Sequence, residues 1–174
     1  MKKISRYILV VTLLAGYYSA GAQRNIAEAT IAYDMTFQTG NGAPLTGATT
    51  TVFLKGNNSR TDMVSALGKE VTIFNSKSGN AVIIKEFSGQ KLMITLTKNK
   101  MYTDVKFELT DEYKIIGTYK TRKAIAKMPD GKSFEVYYAP DLVPSNKDYD
   151  ATFTNLPGLA IEYEIESGKM KFKY

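Results

Sequence analysis

Two groups of carboxylates are the residues whose spacing could support acid–base or metal chemistry. The first alternates along one strand, at separations that a glycosidase pair could use, and consists of Glu162, Glu164 and Glu166. Lysines follow at the same spacing, and nothing apolar nearby would raise a carboxylate pKa. We therefore interpret the glutamates as ion-pair partners of the lysines and assign no catalytic residue.

The second group lies in a long loop from Pro140 to Asn155 and consists of Asp141, Asp148 and Asp150. Loop carboxylates can coordinate a hard cation, but this spacing fits no known calcium-binding loop. We therefore expect solvated carboxylates, no metal site and no cofactor. A hydrolase that uses two carboxylates across one cleft stays open as an alternative.

The residue types that are missing exclude other classes of chemistry. The sequence has no histidine, which excludes Ser-His-Asp and Cys-His catalysis and imidazole metal sites. It has no cysteine, which excludes disulfides and thiolate metal sites. Stability must therefore come from packing alone.

A basic strip between positions 113 and 129 is the candidate site for an anionic partner. It holds five basic residues and no acid, and Lys120, Arg122 and Lys123 lie at its centre. Lipid headgroups, a polysaccharide or a peptide could bind there. The alternative, which we favour, is an ordinary strand with a basic solvent face.

The first 22 residues have the composition of a secretory signal peptide. A basic start precedes an apolar run at 7–15 that is too short to span a bilayer, and Ala20-Gly21-Ala22 offers a cleavage site. We predict export, a single mature domain at 23–174 and no transmembrane anchor after cleavage.

The mature chain has a mild charge and the size of one domain. Without the leader, 20 basic and 17 acidic residues give a net charge of about +3, which does not indicate a nucleic-acid partner. About 152 residues suit one domain with a sizeable core. The strand pattern is still running at Tyr174, so two possibilities stay open: the domain ends there, or a final strand or tail follows.

Hydropathy with a period of two residues dominates the chain from about residue 28 onward. Ile31, Tyr33, Met35 and Phe37 alternate with small or polar residues, as in a half-buried strand. Turn residues recur roughly every ten positions, which is typical of antiparallel sandwiches and barrels. The pattern predicts an all-β fold, with about ten antiparallel strands in a strongly curved sheet or open half-barrel. Little helix is expected, beyond a single turn that residues 110–117 could form.

Two hairpins can be assigned in detail. Pro-Asp-Gly at 129–131 is turn chemistry, because proline presets φ, aspartate bonds its own backbone and glycine accepts the left-handed conformation. In the second hairpin, a Ser-Gly loop would place Tyr163 opposite Phe172. The same loop would pair the glutamates with lysines, namely Glu162 with Lys173, Glu164 with Lys171 and Glu166 with Lys169. That register sorts three opposite-charge pairs onto one face and three apolar pairs onto the other.

Aromatic side chains at alternating positions leave two alternatives for the interior. They could form a solid core, because aromatic residues bury large areas. They could instead line an apolar trough that holds a lipid-like ligand, if the curved sheet stays open. The expected lining of that trough is Tyr33, Met35, Phe37, Phe134, Val136 and Tyr138.

Four short motifs occur in order over most of the mature chain, at 55–60, 117–124, 134–140 and 156–159. They read KGNNSR, GTYKTRKA, FEVYYAP and LPGL, and together they resemble the GLPGLI family and related secreted bacterial domains of unknown function. The namesake motif departs at both ends, with Asn155 where glycine is usual and Ala160 where isoleucine is usual.

The resemblance implies an exported protein of a Gram-negative envelope, found in the periplasm, in the outer envelope or outside the cell. It also implies a sheet similar to the open half-barrel of the periplasmic lipoprotein carriers. Because the family has no established activity, the resemblance carries over no functional residues. Independently of it, Pro157-Gly158 has the residue types of a type II turn, which requires positive φ at the glycine.

Two functional hypotheses follow. The leading one is non-enzymatic binding of an apolar or lipid-like small molecule on the concave face of the sheet. The alternative is an envelope interaction or scaffold protein that pairs through an exposed edge strand or the basic strip and has no ligand cavity. The sequence leaves the ligand and the oligomeric state open.

Overall fold

The computed structural model describes residues 23–40, 42–97, 104–167 and 170–174, so the predicted signal peptide lies outside the described residues. These residues form thirteen strands and one 3₁₀ turn, Lys147–Tyr149. The strands are β1 (Arg24–Ile26), β2 (Glu28–Thr39), β3 (Leu45–Lys55), β4 (Asn58–Ser65), β5 (Gly68–Asn75), β6 (Asn80–Phe87), β7 (Gln90–Leu96), β8 (Lys106–Ile116), β9 (Tyr119–Lys127), β10 (Ser133–Ala139), β11 (Leu142–Pro144), β12 (Leu159–Ser167) and β13 (Met170–Lys173).

Eleven of these strands form one antiparallel sheet, in the order β7-β6-β5-β4-β3-β2-β13-β12-β10-β9-β8. The other two, β1 and β11, pair in parallel. The meander β2 to β7 makes one half of the large sheet, and β8 to β10 with β12 makes the other. Strand β13 joins the halves, because it pairs with β2 on one side and with β12 on the other. The predicted all-β, antiparallel fold is confirmed.

The sheet is curved and open, with β7 and β8 as its two edges in the described part of the chain. The ring of Phe153 lies 4.7 Å from that of Tyr163 on β12 and 6.4 Å from that of Phe107 on β8. Three inter-strand spacings separate those strands, or about 14 Å in a flat sheet. The sheet therefore curls around Phe153 as an open half-barrel, in agreement with the sequence prediction.

Residues 145–158, called here the plug segment, cross the concave face. Phe153 and Leu156 of this segment are buried in the main core, together with Val136, Tyr138 and Tyr163 of the sheet. The 3₁₀ turn of the same segment reaches across to β4. The chain's own side chains therefore fill the concave face over β10 and β12. In this region the structure has the solid core, which was one of the two alternatives for the interior.

Residues 110–117 do not form the helical turn that the sequence left open. Most of them belong to β8, where three residues between Leu109 and Tyr113 oppose one residue of β9. The Thr110 hydroxyl donates a hydrogen bond to the carbonyl of that residue, Lys123, at 3.0 Å. This bulge inserts extra residues into the strand, which is why the period-two pattern fades there.

The Pro-Asp-Gly turn joins β9 to β10 as predicted. Lys127 pairs with Ser133 at the base of the hairpin, and Gly131 has a φ of 84°. The backbone N–H of Lys132 donates to Asp130 Oδ1 at 3.0 Å. Asp130 and Gly131 therefore do what their chemistry indicates.

The predicted register of the last hairpin is wrong by two residues. Glu164 pairs with Lys173, and Tyr163 lies opposite Tyr174 instead of Phe172. A shift of two keeps every side chain on its own face, so the hydropathy pattern cannot separate the two registers. The observed register stacks the rings of Tyr163 and Tyr174, with centroids 4.5 Å apart.

Gly158 is not the left-handed glycine of a type II turn, because its φ is not positive. What requires glycine is close approach to β10. A Cβ atom at this position would lie 2.3 Å from the carbonyl oxygen of Ala139 and 2.8 Å from the ring of Tyr138. The missing side chain therefore lets the end of the plug segment pack directly against β10.

We expect the double variant Glu164→Cys/Lys173→Cys to form a disulfide and Glu162→Cys/Lys173→Cys to form none. Directly opposed residues of a non-hydrogen-bonded pair lie about 4.5 Å apart at Cα, within disulfide reach. A two-residue offset adds about 7 Å along the strand and exceeds that reach. Mass spectrometry after oxidation and alkylation measures the outcome, and the chain has no other cysteine to interfere. A disulfide in Glu162→Cys/Lys173→Cys alone would instead support the register predicted from the sequence.

We expect Gly158→Ala to lower the free energy of unfolding by about 1–3 kcal/mol, because the added methyl group overpacks a contact with backbone atoms. Gly117→Asn is the control, since Gly117 has a φ of 56°, which asparagine tolerates, and open space around it. Urea unfolding of both variants measures the difference. Equal stability of the two would contradict the packing role of Gly158.

Candidate functional site

Two adjoining cavities lie on the concave face beside the plug segment. The first, called here the apolar hollow, has a volume of about 220 Å³. It lies over the β2 to β6 half of the sheet and over β13. Its apolar lining is Met35, Phe37, Met63, Leu67, Phe87, Met170 and Phe172.

The apolar hollow combines a buried floor with an exposed rim. Met35 and Phe37, alternate residues of β2, are buried in it, and Phe37 stacks with Phe172 at a centroid distance of 6.4 Å. Leu67, between β4 and β5, is 63% exposed, and Phe87 is 47% exposed. Concave apolar surface that water can reach is typical of ligand sites.

The second cavity, called here the polar pocket, has a volume of about 150 Å³. It adjoins the apolar hollow, since Met63 and Glu70 line both. Its other lining consists mainly of phenols, hydroxyls and one further carboxylate. These side chains are Tyr33, Tyr149, Tyr163, Tyr174, Thr50, Thr61, Thr72 and Asp150.

Aromatic rings form one wall of the polar pocket. Tyr33 meets Tyr163 and Tyr174 edge to face, at centroid distances of 6.3 and 6.1 Å. The Tyr33 hydroxyl donates to the carbonyl of Ala160 at 2.9 Å. Burial raises the pKa of these phenols and of Tyr149, so all four stay neutral.

Asp150 corrects the expectation of a solvated loop carboxylate. The residue as a whole is only partly buried, but its carboxyl group is surrounded by protein atoms, and this desolvation raises its pKa. The backbone N–H of Thr152 donates to Oδ1 at 2.9 Å. Within the described residues Asp150 forms no ion pair, so nothing there neutralises its charge.

The predicted trough residues do not share one lining. Met35 and Phe37 line the apolar hollow, and Tyr33 lines the polar pocket. The other three lie in the main core around Phe153 of the plug segment, namely Phe134, Val136 and Tyr138. The plug segment therefore separates the predicted residues of β2 from those of β10.

Two residues of the predicted anionic site are engaged within the chain. Arg122 lies 3.1 Å from Asp111. Lys123 lies 2.7 Å from Glu135, which is the largest contribution to its raised pKa. Lys120 lies over the ring of Tyr113 at 5.5 Å. The anionic partner stays a prediction.

The alternating glutamates form ion pairs, as expected, although not all with the predicted partners. Glu166 lies 2.8 Å from Lys171, and Glu164 lies 3.7 Å from the same lysine. Glu162 lies 2.7 Å from Lys114 instead of pairing with Lys173. The predicted partner of Glu166, Lys169, lies outside the described residues.

At the polar pocket the carboxylates of Glu70 and Asp150 meet. Sequence reasoning missed this pair because the two lie in different halves of the chain. No cluster of three potential metal-ligating side chains occurs in the described ranges. In that same part of the chain, no helix has the length and hydropathy to cross a membrane.

These features define an open β half-barrel with a partly filled concave face. No family model matches the chain, and no curated protein does either. It is similar to two solved structures of PNGF-II. In the C2 space group the TM-score is 0.50 with 14% identity, over 84% of this chain and 27% of that chain. In the P21 space group the TM-score is 0.47 with 14% identity, over 83% of this chain and 27% of the PNGF-II chain. This chain thus spans about a quarter of the PNGF-II chains, and the similarity concerns the fold alone.

We expect Asp150→Asn to stabilise the protein increasingly as the pH rises. Burial raises the pKa of Asp150 in the folded state. The neutral carboxyl group therefore contributes its full stability below the unfolded-state pKa of about 3.9. That contribution is lost as the pH rises through the folded-state pKa. Asparagine cannot ionise. Urea unfolding across this window measures the difference from wild type.

The control for this experiment is Asp104→Asn, which removes a negative charge from an exposed residue. The stability gain of Asp150→Asn should grow with pH relative to this control. A gain that is independent of pH would show that the environment of Asp150 does not disfavour its ionised form.

Proposed function

We propose that this protein is an exported, non-enzymatic binding protein of the bacterial envelope that holds a small apolar ligand in the apolar hollow. The observation that carries the proposal is the rim of that hollow, where Leu67 and Phe87 stay exposed above a buried floor of Met35 and Phe37. Concave, mostly apolar surface is the usual setting of a small-molecule site. The leader at 1–22 and the resemblance to the GLPGLI family support the envelope assignment.

The size of the hollow sets the size of the ligand. Its volume of about 220 Å³ lies below the roughly 300–1,000 Å³ of most small-molecule pockets. It exceeds a cavity of about 150 Å³ that accepts benzene. The proposal is therefore narrower than the lipid-like ligand expected from sequence: one ring, or a short alkyl chain, rather than a complete long acyl chain.

Three methionines suit the hollow to such ligands. Met35, Met63 and Met170 come from β2, β4 and β13, which meet at this cavity. Methionine is unbranched and polarisable, so it adapts to ligands of different shape. The hollow is therefore better suited to a class of small apolar groups than to one rigid molecule.

The scaffold alternative also has an observation in its favour. Strand β7 is an edge of the sheet in the described part of the chain. Its first six residues are exposed, among them Leu92, Met93 and Ile94. A long edge strand with exposed apolar side chains is a template for pairing with another strand. Under this alternative a second chain would continue the sheet from β7.

One pair of variants separates the two functions. Leu67→Asp places a charge in the apolar hollow, whereas Leu92→Asp places the same charge on β7, and both leucines are exposed in wild type. We expect Leu67→Asp to weaken binding of n-hexanol at least tenfold, measured by calorimetry or by NMR titration, because the charge must be desolvated by the ligand. Leu92→Asp should bind as wild type does.

Native mass spectrometry of the protein purified from its host completes the test. A co-purifying small molecule that is lost in Leu67→Asp supports the binding function. A bare dimer that dissociates in Leu92→Asp supports the scaffold instead. Hexanol affinity that is equal in wild type and Leu67→Asp would contradict ligand binding in the hollow.

A further inference from the structure

We infer that the polar pocket binds a primary ammonium group, so that the ligand of the apolar hollow is an amine with a short apolar chain. The inference rests on the proposed function and adds the chemical class of the ligand. Three observations carry it: the charge of the lining, a buried hydroxyl without a partner among the described residues, and the adjacency of the two cavities.

The charge of the lining selects a cation. Glu70 and Asp150 are its two carboxylates, and none of its described residues is lysine or arginine. Glu70 has a partner outside the pocket, Lys85, at 2.8 Å. Asp150 has no such partner in the described chain, so its ionised form lacks the compensation that buried charges need. An anion would meet two carboxylates, whereas an ammonium group supplies the missing charge.

The hydrogen-bonding groups of the pocket suit a ligand that donates hydrogen bonds. Thr50 is 8% exposed, and its hydroxyl has no hydrogen-bond partner among the described residues. A buried hydroxyl that is left unpaired costs free energy. An ammonium group has three N–H donors and no acceptor, so it can donate to Thr50 and to the Asp150 carboxylate together.

The aromatic wall adds a further attraction for a cation. Tyr33, Tyr163 and Tyr174 line the same cavity as Asp150, and burial keeps their phenols neutral. Aromatic rings attract cations through their quadrupole, more strongly where water is excluded. A neutral alcohol would gain little from this wall.

The two cavities adjoin, which suits a molecule with a charged head and an apolar tail. Met63 and Glu70 line both of them, so the polar pocket and the apolar hollow share a boundary. The polar pocket, at about 150 Å³, is large enough for a small head group. The tail then lies against Met63 and the buried floor of the hollow.

Binding of an amine is coupled to the ionisation of Asp150. The titratable groups that line the pocket with this carboxylate are Glu70 of β5, Tyr33 of β2, Tyr163 of β12, Tyr174 after β13 and Tyr149 of the 3₁₀ turn. None of them carries a positive charge, whereas Lys69 and Lys85 line the adjoining hollow. Amine affinity should therefore rise as the pH rises through the pKa of Asp150 and then level off, while alcohol affinity stays constant.

The test compares n-hexylamine with n-hexanol at neutral pH, where the amine is protonated. Calorimetry of the mature protein should show the amine binding about tenfold more tightly than the alcohol, which corresponds to about 1.4 kcal/mol. Asp150→Asn should abolish this preference, because asparagine cannot supply the negative charge that attracts the ammonium group. Thr50→Val, which keeps the side-chain shape, should reduce the preference without abolishing it.

The outcomes separate the inference from the proposed function. Equal affinities of the two probes for wild type, or an amine preference that persists in Asp150→Asn, overturn the ammonium site and leave the apolar site standing. Failure of wild type to bind either probe overturns both. An amine preference that survives in Thr50→Val but is lost in Asp150→Asn supports the inference with the carboxylate as the main determinant.

Discussion

The structure depends on one aromatic cluster at the seam between its two halves. Tyr163 stacks on Tyr174, Tyr33 meets both rings edge to face, and Phe153 of the plug segment packs against Tyr163. These rings come from β2, β12, the end of β13 and the plug segment. Their joint burial fixes the register of β13, holds the sheet in its curved form and anchors the segment that crosses the concave face.

This cluster also divides the concave face into parts with different chemistry. On one side, Phe153 and Leu156 fill the space over β10 and β12. Their packing accounts for the burial of Val136 and Tyr138 without a bound ligand. On the other side, the sheet from β2 to β6 keeps an apolar cavity. The polar pocket lies at the boundary, because the tyrosines that anchor the plug segment also form its wall. The same tyrosines therefore stabilise the fold and line the candidate site.

Much of the fold could be predicted from sequence, because a period of two residues reports directly on strands and their faces. The Pro-Asp-Gly turn was predictable for a similar local reason. The hairpin register was not, since Tyr163 keeps its face whether it lies opposite Phe172 or Tyr174. Asp150 was not predictable either, because its burial results from long-range packing of a loop onto β2 and β12. Gly158 also depends on long-range packing. The sequence suggested a turn at this glycine, but glycine is required there because the backbone lies against β10.

The central position of β13 has a consequence for the order of folding. Each meander consists of contacts between neighbours in sequence, which form quickly, whereas β13 must pair with β2 across more than a hundred residues of chain. We expect the two meanders to gain structure first and the seam to close last. Until then each half exposes an unprotected edge, so the interval before closure is the period of greatest exposure to misassembly between molecules.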